Sequence, residues 1–418
     1  MVPKGWQIGS LSDLADTVMG FAFKSADFTP NGIPLLRMGN LYQNTLDFER
    51  NPVFLPASYQ DEYKRFVVKP GDLVMSMTGT MGKRDYGFTV EIPKNSPESL
   101  LNQRVMKFIP NDKTSAGFLL YLLRSEIILS RLYSFPGGTK QANLSAKQVQ
   151  DLPAPIPPYP EQKKIAQILS TWDKTITTTE QLIKNSQQQK KALMQQLLTS
   201  KKRLLDKNGV RFSGEWQACQ LSDVVSSLDS GVSVNGVEQD VEASHFVLKT
   251  SCLSDGVFAP EEVKRVVEEK EITRLKEPLR DDSILISRMN TPALVGANSY
   301  VELAPDNTYL PDRLWQVKAT QSKVLMRWLA FWFSSEKTRT ALSDLASGTS
   351  GSMKNISKKS VLAMSIQCPS LEEQQKIAAV LTAADQEISA LQQKLDGLKQ
   401  EKKALMQQLL TGKRRVLV

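Results

Sequence analysis

Between residues 159 and 205 the chain follows a helical beat. Ile165, Leu169, Trp172, Ile176, Thr179, Ile183, Ser186, Lys190, Leu193 and Leu197 are spaced alternately by four and three residues. Between 371 and 418 the matching places hold Ile377, Leu381, Ala384, Ile388, Leu391, Leu395, Leu398, Lys402, Leu405 and Leu409. A mean step of about 3.5 residues is the seam of a coiled coil. Gln, Lys and Glu fill the other faces. Each segment follows a proline-containing stretch, PAPIPPYPEQ or CPSLEEQ, and neither has a proline inside. Gly397 costs about 1 kcal/mol without breaking its helix. Roughly 40 residues make a rod of roughly 60 Å. A lone helix would leave its stripe in water, so the two stripes are expected to bury each other. The intervening segment makes an antiparallel pairing easy to connect. That pairing would put two globular segments at opposite ends of the rod, related by an approximate two-fold axis. The alternative is parallel pairing between copies of the chain.

The chain is written twice. KKALMQQLLT begins at Lys190 and again at Lys402, and EQKKIAQILS at 161–170 returns as EQQKIAAVLT at 373–382, both at an offset of 212. GWQIGSLSDLAD at 5–16 resembles EWQACQLSDVVS at 215–226, offset by 210. LLRMGNL and VLKTSCL, GDLVMS and DSILIS, and ANLSAKQV and KNISKKSV form weaker pairs in the same order. One duplication describes this better than a solenoid with its shorter period. The helices match closely, whereas the globular segments match only at framework patches. Two near-equal surfaces therefore do one job twice, and two unlike surfaces do different jobs.

The globular segments read as mixed α/β. RFVVKPGDLVMSMT predicts strand, turn and strand, with Pro70-Gly71-Asp72 as the turn, and DDSILISRMNT predicts the equivalent strand and loop. AGFLLYLLRSEIILSRLY and KVLMRWLAFWFSSEKTRTALSDL predict one amphipathic helix each, with aromatic residues serving the core. Glycine-bearing loops follow, PGGTKQANLS at 136–145 and SGTSGSMKNIS at 347–357. Such loops can approach a DNA backbone and donate to phosphates or base edges. Equally, each is a turn capping the next helix through Ser145 or Ser357. The expected fold is α+β: two mixed α/β segments, 1–158 and 206–370, separated by two long helices, 159–205 and 371–418. The helices form an antiparallel coiled coil in a pseudo-two-fold internal repeat.

Composition narrows the function. With 53 Lys+Arg against 44 Asp+Glu the formal charge is +9, which favours an acidic partner such as nucleic acid. Cys219, Cys252 and Cys368 are far apart and His245 is the only histidine, so neither a zinc site nor a disulfide framework is expected. No apolar run approaches the ~20 residues of a membrane span, and MVPKGWQIGS has no signal-peptide stretch; a cytoplasmic location is expected. TGTMGKRD lacks the glycine and hydroxyl of a nucleotide-phosphate loop, NPVF lacks the second proline of a methyltransferase box, and no catalytic triad is present. Glu62-Tyr63-Lys64 and Glu262-Val263-Lys264 have nuclease-like spacing that chance supplies in so charged a chain.

The GWQIGSLSDLAD opening, the GDLVMS strand, the glycine loop leading to NLS or NIS, the proline run before EQKKIAQIL, and the terminal KKALMQQLLTGKRR recur in order in both halves. The chain resembles the specificity subunit of a type I restriction-modification system over nearly its whole length. That resemblance implies two target-recognition domains, each reading half of a split sequence in double-stranded DNA. It implies helices that set the gap and dock two modification (adenine methyltransferase) subunits, with two restriction subunits able to join. The chain itself is implied to be non-catalytic and without cofactors; S-adenosylmethionine, ATP and Mg belong to the partners. Candidate DNA contacts follow from position: Thr78, Gly79, Lys83, Arg104, Lys140, Gln141 and Asn143 in the first domain, and Arg288, Asn290, Arg313, Ser352, Lys354 and Asn355 in the second. Arg or Lys suits guanine, and Asn or Gln suits adenine. For Arg104 and Arg313 the alternative is an ion pair inside their domains. Partner docking is assigned to the exposed helix faces, Gln195, Gln196, Gln407 and Gln408, with the basic helix ends. Two rivals are a coiled-coil scaffold that touches no DNA and a self-contained DNA enzyme. A steep salt dependence of DNA affinity separates the scaffold from the DNA binder.

Overall fold

The computed structural model describes residues 3–135, 141–253, 256–348 and 353–417. The chain forms two compact units, residues 1–181 with 393–418 and residues 182–392.

In the first unit the run LVMS at Leu73–Ser76 is buried throughout. Leu73 and Met75 enter a core with Phe118, Leu122 and Ile165, while Val74 enters another with Leu36, Leu101 and Val105. Both faces of the strand are covered, which is why it reads as a continuous apolar run. It lies inside an antiparallel sheet ordered Ala15–Met19, Val105–Pro110, Leu73–Ser76, Thr89–Glu91. A smaller mixed sheet runs Phe54–Leu55, Ile33–Leu36, Ser99–Leu101, Val67–Val68. Pro70-Gly71-Asp72 does turn the chain, with Gly71 at φ +91°. The flanking strands nevertheless belong to different sheets, so the turn closes no hairpin.

The second unit repeats this plan. Its antiparallel sheet is ordered Val225–Asp229, Leu314–Ala319, Ser283–Ser287, Asn298–Val301. Ser283–Ser287 is buried throughout, with Ile284 and Ile286 facing Trp328 and Leu381, and Leu285 facing Leu253 and Leu310.

Each predicted amphipathic helix is in fact two. Ala116–Leu123 and Glu126–Ser134 are separated at Ser125, and Met326–Ser334 and Glu336–Asp344 at Ser335. Both serines are extended, and Ser335 Oγ accepts the Thr338 amide at 3.4 Å. Phe118–Leu123 is buried on every side. The first short helix is therefore core, and its unbroken apolar run hid the break at Ser125, whose hydroxyl donates back to the Leu122 carbonyl at 2.6 Å. Trp328, Phe331 and Phe333 are buried, as expected of core aromatics.

The long helices run Tyr159–Leu197 and Leu371–Leu410. Every seam position named above is buried or half-buried. In the first unit Asp173 pairs with Lys402 and Glu180 with Lys399. In the second, Lys190 pairs with Asp385, and Ser186 Oγ donates to Glu387 at 3.3 Å. Numbers rise along one helix as they fall along the other, so the pairing is antiparallel. The seam lysines are thus ion-paired, each under an aromatic lid: Lys402 lies 5.4 Å from the Tyr121 ring and Lys190 5.6 Å from Phe331. Tyr121 also donates to Asp173 at 2.6 Å.

Helix ends are locked by one device used twice. Glu161 accepts from Trp6 Nε1 and Arg415 Nε, both at 3.0 Å. Glu373 accepts from Trp216 Nε1 at 3.1 Å and Arg203 Nε at 2.6 Å. The start of each helix is thereby tied to the segment that follows the other. Arg203 and Arg415 belong to the basic helix ends assigned to partner docking, and both are engaged internally. Gln162 and Gln374 complete the joint. Their carbonyls accept the Ser115 and Leu325 amides at 2.9 and 2.7 Å.

Cys219 and Cys368, distant in sequence, face each other with sulfurs 3.9 Å apart and unbonded.

Burial raises the Glu161 carboxyl, but the Arg415 and Trp6 hydrogen bonds outweigh it and hold the group below its ordinary range. A depressed carboxylate stabilises above its unfolded pKa and loses that contribution as pH falls. Glu161→Gln is therefore less stable than wild type at neutral pH, and the gap closes below about pH 4.3; urea unfolding across pH checks this. Ser200 holds φ +57° where the repeat has Gly412 at φ +71°. Ser200→Gly should stabilise the second unit by about 0.5–1 kcal/mol, read as a raised unfolding midpoint.

Candidate nucleic-acid interface

Beyond each buried central strand the chain steps onto a short ladder. In the first unit Thr78–Thr80 pairs antiparallel with Gln141–Asn143, matching Thr78 with Asn143, Gly79 with Ala142 and Thr80 with Gln141. The joint is Met77. Its amide donates to the Arg104 carbonyl and its carbonyl accepts the Leu144 amide, both at 2.9 Å. In the second unit Met289–Asn290 pairs with Lys354–Asn355. Here the joint is Arg288, which donates to the Arg313 carbonyl at 3.0 Å and accepts from Ile356 at 2.9 Å. Two unlike sequences build one backbone arrangement.

This geometry brings together Thr78, Gly79, Arg104, Gln141 and Asn143, and likewise Arg288, Asn290, Arg313, Lys354 and Asn355. Lys83 sits on the exposed loop after the first ladder strand. Lys140 and Ser352 lie outside the described residues. The capping reading of the glycine loops holds: Ser145 and Ser357 cap helices, accepting amides of Gln148 at 3.2 Å and Ser360 at 3.0 Å, and the residues just before them form ladder strands.

The side chains differ between the ladders. Thr78 is buried and donates to Oδ1 of the exposed Asn143 at 2.9 Å. Gln141 is exposed. At Gly79 a Cβ would sit 2.3 Å from Asp85 Oδ1 and 2.7 Å from the Tyr86 ring, so only glycine fits. Asp85 accepts the Thr80 amide at 2.7 Å. Burial raises its carboxyl, but the Thr80 hydrogen bonds outweigh this and keep it below its usual range. The resulting carboxylate shapes the loop carrying Lys83.

In the second ladder Asn290 accepts the Thr291 amide at 2.8 Å and Lys354 donates to the Gly348 carbonyl at 3.1 Å. Both are thus partly committed to the backbone. The Arg288 guanidinium lies 5.7 Å from the Trp315 ring. Arg288 Nε and Asn355 Oδ1 are buried without a hydrogen-bond partner, each at a cost of about 1–3 kcal/mol. Arg104 is half-buried and Arg313 exposed, and among the described residues neither side chain makes an ion pair. The alternative of an internal ion pair therefore fails for both. Guanidinium and amide groups at a ladder edge can donate to phosphates and to base edges.

Gln195, Gln196, Gln407 and Gln408 are exposed. Asp85, Trp6, Trp216, Glu161, Glu373, Arg203 and Arg415 were not singled out from sequence. The last six recur as identical pairs at offsets of 210 or 212, which was the available signal. Among the described residues no cluster of His, Cys, Asp and Glu could hold a metal, and no helix is long and apolar enough to cross a membrane.

A family model described as the type I restriction modification DNA specificity domain matches residues 3–188 and again 214–400. The type I restriction enzyme MjaVIII specificity subunit of Methanocaldococcus jannaschii is 30% identical over 178 residues, 42% of this chain and 41% of that protein. The EcoKI specificity subunit of Escherichia coli K12 is 23% identical over 394 residues, 90% of this chain and 81% of that protein. A type I restriction-modification S subunit from M. genitalium shares the fold with a TM-score of 0.58 at 14% identity, covering 98% of this chain and 96% of that one.

Gly79→Ala should cost about 1–3 kcal/mol by driving Asp85 or Tyr86 aside. Faster amide hydrogen exchange in Thr78–Thr80 and Gln141–Asn143 checks this.

Proposed function

The chain belongs to the type I restriction-modification DNA specificity family, and on that premise we propose that its two ladders read the two halves of one split DNA sequence for a methyltransferase that it carries. The observation that carries this reading is the repeated ladder: one backbone arrangement twice, with Thr, Gly, Gln and Asn on the first and Asn and Lys on the second, beside Arg288 at its joint. A device for reading two different half-sites needs that combination.

In this reading residues 1–158 and 206–370 are the target-recognition domains, and 159–205 and 371–418 are the spacer helices that set the gap. Thr78 orients Asn143 toward the DNA, Gly79 seats the ladder over Asp85 and Tyr86, and Lys83 meets phosphate. Arg104 and Arg313 suit guanine O6 and N7, while Gln141, Asn143, Asn290 and Asn355 suit adenine. Arg288 and Lys354 add positive charge to the second half-site, and Lys140 and Ser352 extend the contacts through their loops. Two modification subunits dock at the equivalent helix ends, through Gln195 and Gln196 and through Gln407 and Gln408. Two restriction subunits complete an endonuclease. Catalysis, with S-adenosylmethionine, ATP and Mg, belongs to those partners, and this chain is the recognition subunit.

Arg104→Ala and Arg313→Ala test the assignment. Each should relax discrimination at one position by about 1–3 kcal/mol, in opposite halves of the target, when binding is measured against a panel of substituted duplexes. Effects from both variants in the same half would contradict the reading.

A further inference from the structure

Divergence along the exposed faces of the two long helices is uneven. In the middle, equivalent exposed positions mostly differ: Lys174 and Gln386, Thr175 and Glu387, Leu182 and Lys394, Lys184 and Asp396, Gln189 and Glu401. Within the terminal decamer they are all the same. Lys191, Ala192, Gln195 and Gln196 are exposed and match the exposed Lys403, Ala404, Gln407 and Gln408. Seam packing constrains buried positions and leaves exposed ones free to drift. Elsewhere exposed identity is scattered, at Lys164 and Lys376, Gln181 and Gln393, and Gln188 and Gln400; its concentration in one stretch points to an external surface that both copies meet.

A groove lies beside each decamer. In the second unit it has a volume of about 1140 Å³, with Lys191, Met194, Gln195 and Thr199 on one wall and the helix break at Ser335 and Glu336 on the other. In the first unit it has a volume of about 430 Å³, with Lys403, Met406, Gln407 and Thr411 facing the break at Ser125 and Glu126. Ile388 and Ile176, also equivalent, add apolar surface to the two grooves. Each lining includes four basic and two acidic side chains, an excess of two positive charges. Like charge disfavours groove-to-groove pairing between copies of this chain and favours an acidic occupant.

We propose that each groove seats the same segment, acidic with an apolar side chain directed at Met194 or Met406, from one of two methyltransferase copies. The partner thereby grips a helix end and the short-helix break of the adjoining recognition domain together. This rests on reading the chain as a methyltransferase-carrying specificity subunit.

The test is sedimentation velocity of the full chain with its methyltransferase. Wild type should bind two copies. Lys191→Glu and Lys403→Glu should each bind one, and the double variant none, with at least a tenfold loss of affinity at each altered groove. Thr199→Trp and Thr411→Trp fill the grooves without changing charge and should give the same pattern, with thermal unfolding confirming that each variant folds. Two copies bound to both double variants would overturn the groove assignment and leave the specificity reading standing. Loss of both copies from a single variant would overturn the assignment of one copy per groove. Failure of the wild-type chain to bind any methyltransferase would overturn both.

Discussion

A buried carboxylate at the start of each long helix holds the architecture together. Glu161 and Glu373 are almost fully buried, and each is satisfied by an indole from its own repeat and a guanidinium from beyond the end of the other helix. A buried charge left unpaired is strongly destabilising. The device therefore forbids any arrangement in which a helix start loses the far end of its neighbour. Apolar seam contacts tolerate slippage by a heptad, whereas a bidentate arginine on a buried carboxylate does not. The seam ion pairs of Asp173 with Lys402 and Asp385 with Lys190 reinforce the same register. Register is what a spacer between two reading surfaces must hold constant.

On this frame the two units divide constraint from freedom. Buried strands, the joints at Met77 and Arg288, and the serine caps of the following helices are shared. The ladder side chains and their hydrogen bonds are not. Thr78 satisfies Asn143 in the first ladder, whereas the second leaves Arg288 Nε and Asn355 Oδ1 buried and unpartnered. Shared main-chain bonding lets those side chains vary without disturbing the sheet beneath them. Two different half-sites are then readable by one fold.

Much of this was legible in the sequence because it is local or repeated. The seam is a short-range period, and every position assigned to it is covered. Thr78, Gly79 and Asn143 stood out because they follow a buried strand or lie in a glycine loop, and the structure pairs them. Strand partners were not legible, since the turn at Pro70-Gly71-Asp72 joins strands of different sheets. The helix break at Ser125 was hidden because the run Phe118–Leu123 before it is buried on every side and has no polar face to mark its end, and the break at Ser335 because the amphipathic period carries on across it. The clamps were missed because Trp6 meets Glu161 and Arg415 meets Glu161 across 155 and 254 residues. Pairing at that separation leaves no local periodicity, only identical residues at matching offsets.

The most direct measurement of the central claim is a genome-wide map of N6-methyladenine in host cells with and without this chain. The account predicts that one split motif, two defined halves across a gap of constant length, is methylated with the chain and unmethylated without it. Methylation that persists when the chain is removed, or a chain-dependent motif that is continuous, would contradict it.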